Sequence, residues 1–331
     1  MEIDALNSNN GYRQRIESNI NNCLTLSKID FPMEYQGKVR DRYDIGNAYA
    51  LITTDRQSAF DRILASIPYK GQALNQISSW WFRNTSHIIK NHEITTPDPN
   101  VTIAQKARPF PIEFIVRGYI TGSSNTSLWT HYETGKREYC GITLPDGLKK
   151  NSRLEFPIVT PTTKESNHDR PISPMEIIAD GWMSENHWNE SSQKALELFR
   201  FGQKTADKNG LVLVDTKYEM GLSHKDEIIV IDEIHTPDSS RYWISKDYEE
   251  RIASGNEPQN IDKEFLRLWF KKHCDPYNDR ILPQAPKELI VELSLRYIYL
   301  YEKITGGNFQ FDECENINKR INENMNLYLN S

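Results

Sequence analysis

Asp215, Lys217 and Glu219 stand two residues apart in the stretch LVLVDTKYEMG, residues 211–221. Side chains alternate faces along a strand, so all three are expected on one side of a sheet. A second apolar run, residues 228–231, ends in Asp232 and Glu233. If the two runs pair as an antiparallel hairpin, Asp232 or Glu233 arrives beside Glu219. Like charges so placed destabilise one another unless a cation lies between them, and hard carboxylate oxygens suit Mg2+. The alternative on spacing alone is a solvated strand face whose charges pair internally.

Other segments carry anion-binding chemistry. GKVRDRY, residues 37–43, puts Gly37 at a turn and Lys38 and Arg40 two apart. Backbone amides beside a glycine, with a lysine close by, suit nucleotide phosphates, because close approach needs a missing side chain. The segment is neither a Walker loop nor a GxGxxG fingerprint, and a plain basic hairpin has the same letters. In VRGYITGSS, residues 116–124, Arg117 interrupts an apolar strand ahead of Gly122 and Ser123. Arginine there fits bidentate capture of carboxylate or phosphate, or a structural ion pair. Ser58 and Asp61 lie in a polar turn that could orient a substrate or simply form Asx-type turns. Lys164, His168 and Asp169 fall in a long loop where a lone histidine gives no zinc spacing. PDSSR, residues 237–241, returns Arg241 toward the carboxylate strand.

The elements that must position these groups can be read coarsely. Short strands are expected at residues 33–35, 37–40, 49–53 and 63–67, then a helix over 71–89, a strand over 114–120 and an irregular region over 121–173. A helix over 193–208, stopped by Asn209 and Gly210, feeds the 211–221 strand, and two more helices are expected at 262–272 and 285–303. The Asn-rich residues 1–12 read as a leader, with a short helix at 13–26. The 331 residues, 37% of them hydrophobic, suffice for two lobes or one large domain with a real core. A formal charge of −6 argues against a general nucleic-acid binder. Four cysteines at 23, 140, 274 and 314 form no CxxC pair, which fits neither a zinc site nor a disulfide framework and suggests a reducing cytoplasm. No run approaches the roughly 18 to 20 apolar residues that span a bilayer, so no membrane partner is expected.

Taken together, GKVRDRYDIG, TTDRQSAFDR, PYKGQALNQIS, PIEFIVRGYITGS, LVDTKYEMGL and IDEIHTPDSSRYW occur in the order seen in the SAICAR synthetase family, the phosphoribosylaminoimidazole-succinocarboxamide synthases. The resemblance spans residues 33–305 and is similar to the longer form found in yeasts and many bacteria. It implies an α+β fold with an N-terminal kinase-like antiparallel β lobe and a C-terminal ATP-grasp-like lobe. The divisions expected are 1–30, 31–115, 116–260 and a helical segment 261–331. The implied reaction joins L-aspartate to carboxyaminoimidazole ribonucleotide (CAIR), giving SAICAR, ADP and phosphate.

By motif, the resemblance puts Gly37, Lys38, Arg40 and Lys164 on the ATP phosphates. It puts Glu219 and Asp232 on Mg2+, with Asp169 as a third ligand. Arg117, Ser123 and Arg241 would bind the ribonucleotide's phosphate or carboxylate. Asp61 and Ser58 would contact the ribonucleotide or aspartate, and Lys217 and Asp215 would line the reacting end. Arg40 stands where the shorter bacterial form has lysine, a change that keeps charge but alters hydrogen-bond geometry. The implied partners are small molecules only, and the chain is expected as a monomer or homodimer. A kinase of similar lobe architecture would need HRD and DFG motifs, which are absent from the sequence. A nucleotide-binding regulator without turnover would not need the Lys217, Glu219 and Asp232 set.

Overall fold

The computed structural model describes residues 10–124, 127–164, 169–261 and 263–330; His168 and the start of the leader lie outside them. Its first half is built from Met33–Gln36 (β1), Arg40–Asp44 (β2), Ala48–Thr53 (β3), Arg56–Ala59 (β4), Arg62–Ser66 (β5), Glu93–Asp98 (β6) and Val101–Gln105 (β7). An antiparallel sheet runs β1-β2-β3-β7-β6, and β4 pairs with β5 as a separate ribbon. The expected strand at 37–40 is instead the tight turn between β1 and β2. Gly37 N donates to Arg40 O at 2.8 Å, and a Cβ on Gly37 would lie 2.7 Å from that same oxygen, so the turn needs glycine.

The second sheet uses Arg108–Tyr119 (β8), Glu138–Tyr139 (β9) and Ile142–Thr143 (β10) standing apart as a ribbon, then Arg153–Val159 (β11), Thr162–Thr163 (β12), Leu211–Leu222 (β13), Ile228–Ile231 (β14) and Ser240–Ile244 (β15). Its order is β11-β8-β13-β14, with β12 also on β8 and β15 also on β13. Strand β13 is longer than its apolar run suggests. Its first half pairs with β15, its second half with β14, and residues 215–222 with β8. The lobe boundary expected at 115/116 therefore falls inside β8, which is continuous in the second sheet. Likewise β11 and β12, inside the region read as irregular, are edge strands on β8. Their register shifts and prolines erase the alternation by which strands are recognised.

Nine helices complete the described residues: Asn10–Ser18 (α1), Lys70–Thr85 (α2), Leu128–Glu133 (α3), Pro174–Ala179 (α4), Glu185–Lys208 (α5), Tyr248–Ala253 (α6), Glu264–His273 (α7), Lys287–Thr305 (α8) and Ile317–Leu329 (α9). Ser184 caps α5 by accepting from His187 N. That helix buries Trp188, Ala195, Leu198, Phe199 and Ala206 in the core shared with β8 and β13. The spacing of those residues is that of one helix face, and Leu198→Ala there would cost about 2–5 kcal/mol. Gly202 lets the helix approach closely, since a Cβ would sit 2.7 Å from Leu213 Cδ2. Helix α2 is wedged between the sheets and α8, with most of its surface buried. Behind the gap between the two sheets, His92 N donates to Val230 O at 3.1 Å and Val230 N to Lys90 O at 3.0 Å.

Candidate active site

Residues opposite one another on β8 and β13 share a face, and the register sets Asp215 against Arg117 and Glu219 against Glu113, with Ile231 of β14 on the other side of Glu219. Lys217 lies in the middle of this acidic face. Its Nζ is 2.7 Å from Glu219 Oε1, 3.1 Å from Glu113 Oε1 and 3.9 Å from Asp232 Oδ2. Lys164 reaches the other oxygen of Glu219. Burial alone would raise the Glu219 carboxyl, but the Lys217 and Lys164 ammoniums outweigh it and hold it down at about 2. Burial likewise works against the charged form of Lys217, yet Glu219, Glu113 and Asp232 keep its pKa well above the ordinary lysine range.

The chain leaves β14 through Asp232 in the left-handed region, φ 66°. Aspartate tolerates that conformation better than most residues, and the turn carries its carboxylate to Arg40, which comes from β2 of the other sheet. Arg40 pairs with both Asp232 and Glu233, the second at 2.9 Å, and its Nε donates to Thr53 Oγ1 at 3.2 Å. Burial opposes the Arg40 charge, but the two carboxylates raise its pKa above the usual value.

These residues border a cavity of ≈ 820 Å³ between the sheets, within the size range of small-molecule sites. Gly37, Lys38, Arg40, Lys164, Asp169, Lys217, Glu219 and Asp232 all line it. Tyr35, Tyr49, Leu51, Ala104 and Pro109 give it an aromatic and apolar wall. His92 also lines it, and burial lowers its pKa to about 4, so the imidazole is neutral.

A second cavity, ≈ 180 Å³, lies on the far side of Lys217. Arg117, Lys217, Arg241, Lys263 and Arg267 face Asp215, Asp238 and Glu264 there, an excess of cations suited to an anionic ligand. Asp215 Oδ2 accepts from Arg117 at 3.2 Å and from Arg241 at 2.5 Å, which fixes both guanidiniums. Asp238 pairs with the fully buried Lys70 at 2.7 Å, and Lys263 donates to the Asp238 carbonyl at 2.8 Å. Lys217 is common to both cavities.

Of the residues singled out from sequence, Ser58, Asp61 and Ser123 line neither cavity. Asp61 pairs with Lys38 at the tip of the β4–β5 ribbon, and Ser123 donates to Glu264 at 2.6 Å. Among the described residues no three acidic, histidine or cysteine side chains gather as a preformed metal cluster, and Asp169 shares the larger cavity with Glu219 and Asp232. Glu113, His92, Asp238, Lys263 and Arg267 were not anticipated, and Glu233, expected as an alternative to Asp232 beside Glu219, pairs with Arg40 instead. Of the missed residues only Asp238 had a signal, as a neighbour of Arg241 in the same loop.

A model of the SAICAR synthetase family matches residues 33–284. The chain belongs to the SAICAR synthetase family. Its members are ligases that join L-aspartate to CAIR in purine biosynthesis, and this chain has that activity. The chain is 60% identical over 308 residues to a phosphoribosylaminoimidazole-succinocarboxamide synthase of Legionella pneumophila, covering 93% of this chain and 99% of the relative. A SAICAR synthase of Saccharomyces cerevisiae complexed with SAICAR superposes with a TM-score of 0.74 at 31% identity, over 87% of this chain and all of the yeast one. A type-2 SAICAR synthetase in complex with ADP superposes with a TM-score of 0.63 at 26% identity, over 84% and 99%. The α+β architecture of two antiparallel sheets flanked by helices is thus that of SAICAR synthetases.

Proposed function

We propose that the larger cavity takes ATP, that the smaller, cation-rich one takes CAIR, and that acyl activation occurs where they meet at Lys217. The observation that carries this reading is that Lys217 borders both cavities. The ADP and SAICAR complexes of the relatives support the choice of ligands. Gly37, Lys38, Arg40 and Lys164 then face the phosphates, with the Tyr49 and Leu51 wall against the base. Arg117 and Arg241, already oriented by Asp215, hold the ribonucleotide's anionic group.

Glu219 and Asp232 both reach the Lys217 ammonium, so their oxygens already converge on positive charge. Two carboxylates plus substrate phosphates are an ordinary Mg2+ donor set, and these two would hold the ion. Held by Glu219 and Asp232, Mg2+ would supply positive charge against the phosphates.

A carboxylate is a poor acyl donor because its oxygen leaves badly. Transfer of the γ-phosphoryl group to a CAIR carboxylate oxygen, breaking the bond to ADP, makes an acyl phosphate. The aspartate amine then attacks the carboxyl carbon, phosphate leaves, and the amine gives up a proton, for which Asp215 is the candidate acceptor. Lys38, Lys164 and Lys217 offset charge on the transferred group, and Arg117 and Arg241 hold the acceptor in line. A reducing compartment such as the cytoplasm suits the four cysteines, all of which are free.

The test is phosphate release from ATP and CAIR with Mg2+, with and without L-aspartate, alongside mass detection of the product. Aspartate-dependent release with a product of SAICAR mass is expected. Release that ignores aspartate would replace the ligase with a kinase acting on CAIR.

A further inference from the structure

Residues 232–239 join the two cavities. Asp232 faces the larger, while Pro237, Asp238 and Ser239 border the smaller, just ahead of Arg241. The middle of the loop turns inward. His235 has no exposed surface and sits at φ 52°, a region a histidine enters rarely and keeps only where its surroundings force it. Those surroundings are specific. His235 Nε2 is 2.5 Å from Tyr218 Oη, and Tyr242 Oη donates to the His235 carbonyl at 2.8 Å. Ile234 N donates to Ser78 Oγ of α2 at 3.3 Å. Trp81 meets the imidazole edge-on at 4.5 Å between centroids, and Gly202 of α5 leaves room for the ring, since a Cβ there would lie 2.5 Å from His235 Cε1.

Tyr218 is the residue of β13 between Lys217 and Glu219, so its side chain points to the opposite face and into the core. One strand therefore presents two site residues forward and grips the connecting loop behind. We infer that Tyr218 and His235 are positioning residues, which hold the 232–239 loop so that Asp232 and Arg241 keep their places on either side of Lys217 and both substrate pockets are set together. The inference rests on the two-cavity reading above. A buried hydrogen bond with a purely structural role would affect stability and leave substrate kinetics alone.

The experiment compares Y218F, H235Q, H235F and the Y218F/H235F double variant, with D232N as control, for kcat, for KM of ATP and of CAIR, and for Tm. Y218F removes one oxygen and keeps the ring, and H235Q keeps a partner for the tyrosine hydroxyl. Y218F and H235F are expected to lower kcat/KM about tenfold for both substrates, the scale on which small misplacements act. H235Q should retain more activity than H235F, and the double variant should be little worse than the worse single one. A fall in Tm with unchanged kinetics, or a change confined to one substrate, would overturn the inference. If D232N left ATP kinetics untouched, the nucleotide-cavity reading would fall and this inference with it. If D232N raised KM for ATP and Y218F moved nothing, only the inference would fall.

Discussion

Arg40 of the first sheet and Glu233 of the loop after β14 meet at 2.9 Å across the cleft, both with largely buried side chains. The pair, together with Asp232, draws the two sheets together at the place where phosphates are proposed to bind. Removing one partner would leave the other buried and uncompensated, which is costlier than the pair itself is stabilising.

Arg40→Ala should accordingly destabilise the protein by about 3 kcal/mol and raise KM for ATP. Arg40→Lys restores charge without the fork that serves two carboxylates at once, so it should recover part of the affinity and less of the stability. Thermal unfolding and ATP kinetics of the two variants check this. Equal Tm for Arg40→Ala and the parent would show the pair to be ornamental.

Glu219→Gln should reduce turnover by at least about a hundredfold, the size of loss typical when one charge-stabilising group is removed, with circular dichroism unchanged. Near-parental activity would sink the assignment of Glu219 as a metal ligand.

Acid unfolding offers a separate reading of the same carboxylate. Its pKa in the fold is about 2 against an ordinary 4.5, so it is depressed. The stability it contributes is fully present above about 4.5 and disappears as pH falls toward about 2. The stability gap between the parent and Glu219→Gln should therefore narrow between those pH values. Denaturant titrations at a series of acid pH values measure it, and a constant gap would contradict the depressed pKa.

Mg2+ by itself should barely move Tm, because among the described residues no three-ligand cluster exists to hold it without a nucleotide. Mg2+ with ADP should raise Tm by several degrees through linkage, and a chelator should stop turnover. A large shift with the metal alone would mean that Asp169 completes a standing site with Glu219 and Asp232.

Arg241→Ala should raise KM for CAIR at least about tenfold, the cost of a lost charge-assisted pair, while ADP affinity by calorimetry stays within about a factor of two. Arg117 would remain held by Asp215 and Thr160, so the pocket should lose one anchor and keep its shape.

What could be read from the sequence was local. The alternation of Asp215, Lys217 and Glu219, the Gly37 turn, the α5 stripe and the carboxylates ending the hairpin all rest on spacing within a dozen residues. Glu113 escaped notice because its significance depends on β8 lying against β13, a pairing between distant segments. Glu233 was read as an alternative to Asp232 beside Glu219, because its actual partner Arg40 belongs to another sheet. Ser123 illustrates the converse: a serine after a Gly turn looks ready for an anion, yet Glu264, far along the chain, takes its hydroxyl.

The two hydrogen bonds of Val230 to the 90–92 segment sit on the rear of the cleft, close to the short 106–107 connection between β7 and β8. Two attachments side by side form a spine, as in a bound book. They tie β14, the strand that delivers Asp232, to the chain entering β6 of the sheet that carries Arg40, so the two halves of the Arg40–Asp232 pair are joined through the backbone as well as through the ion pair.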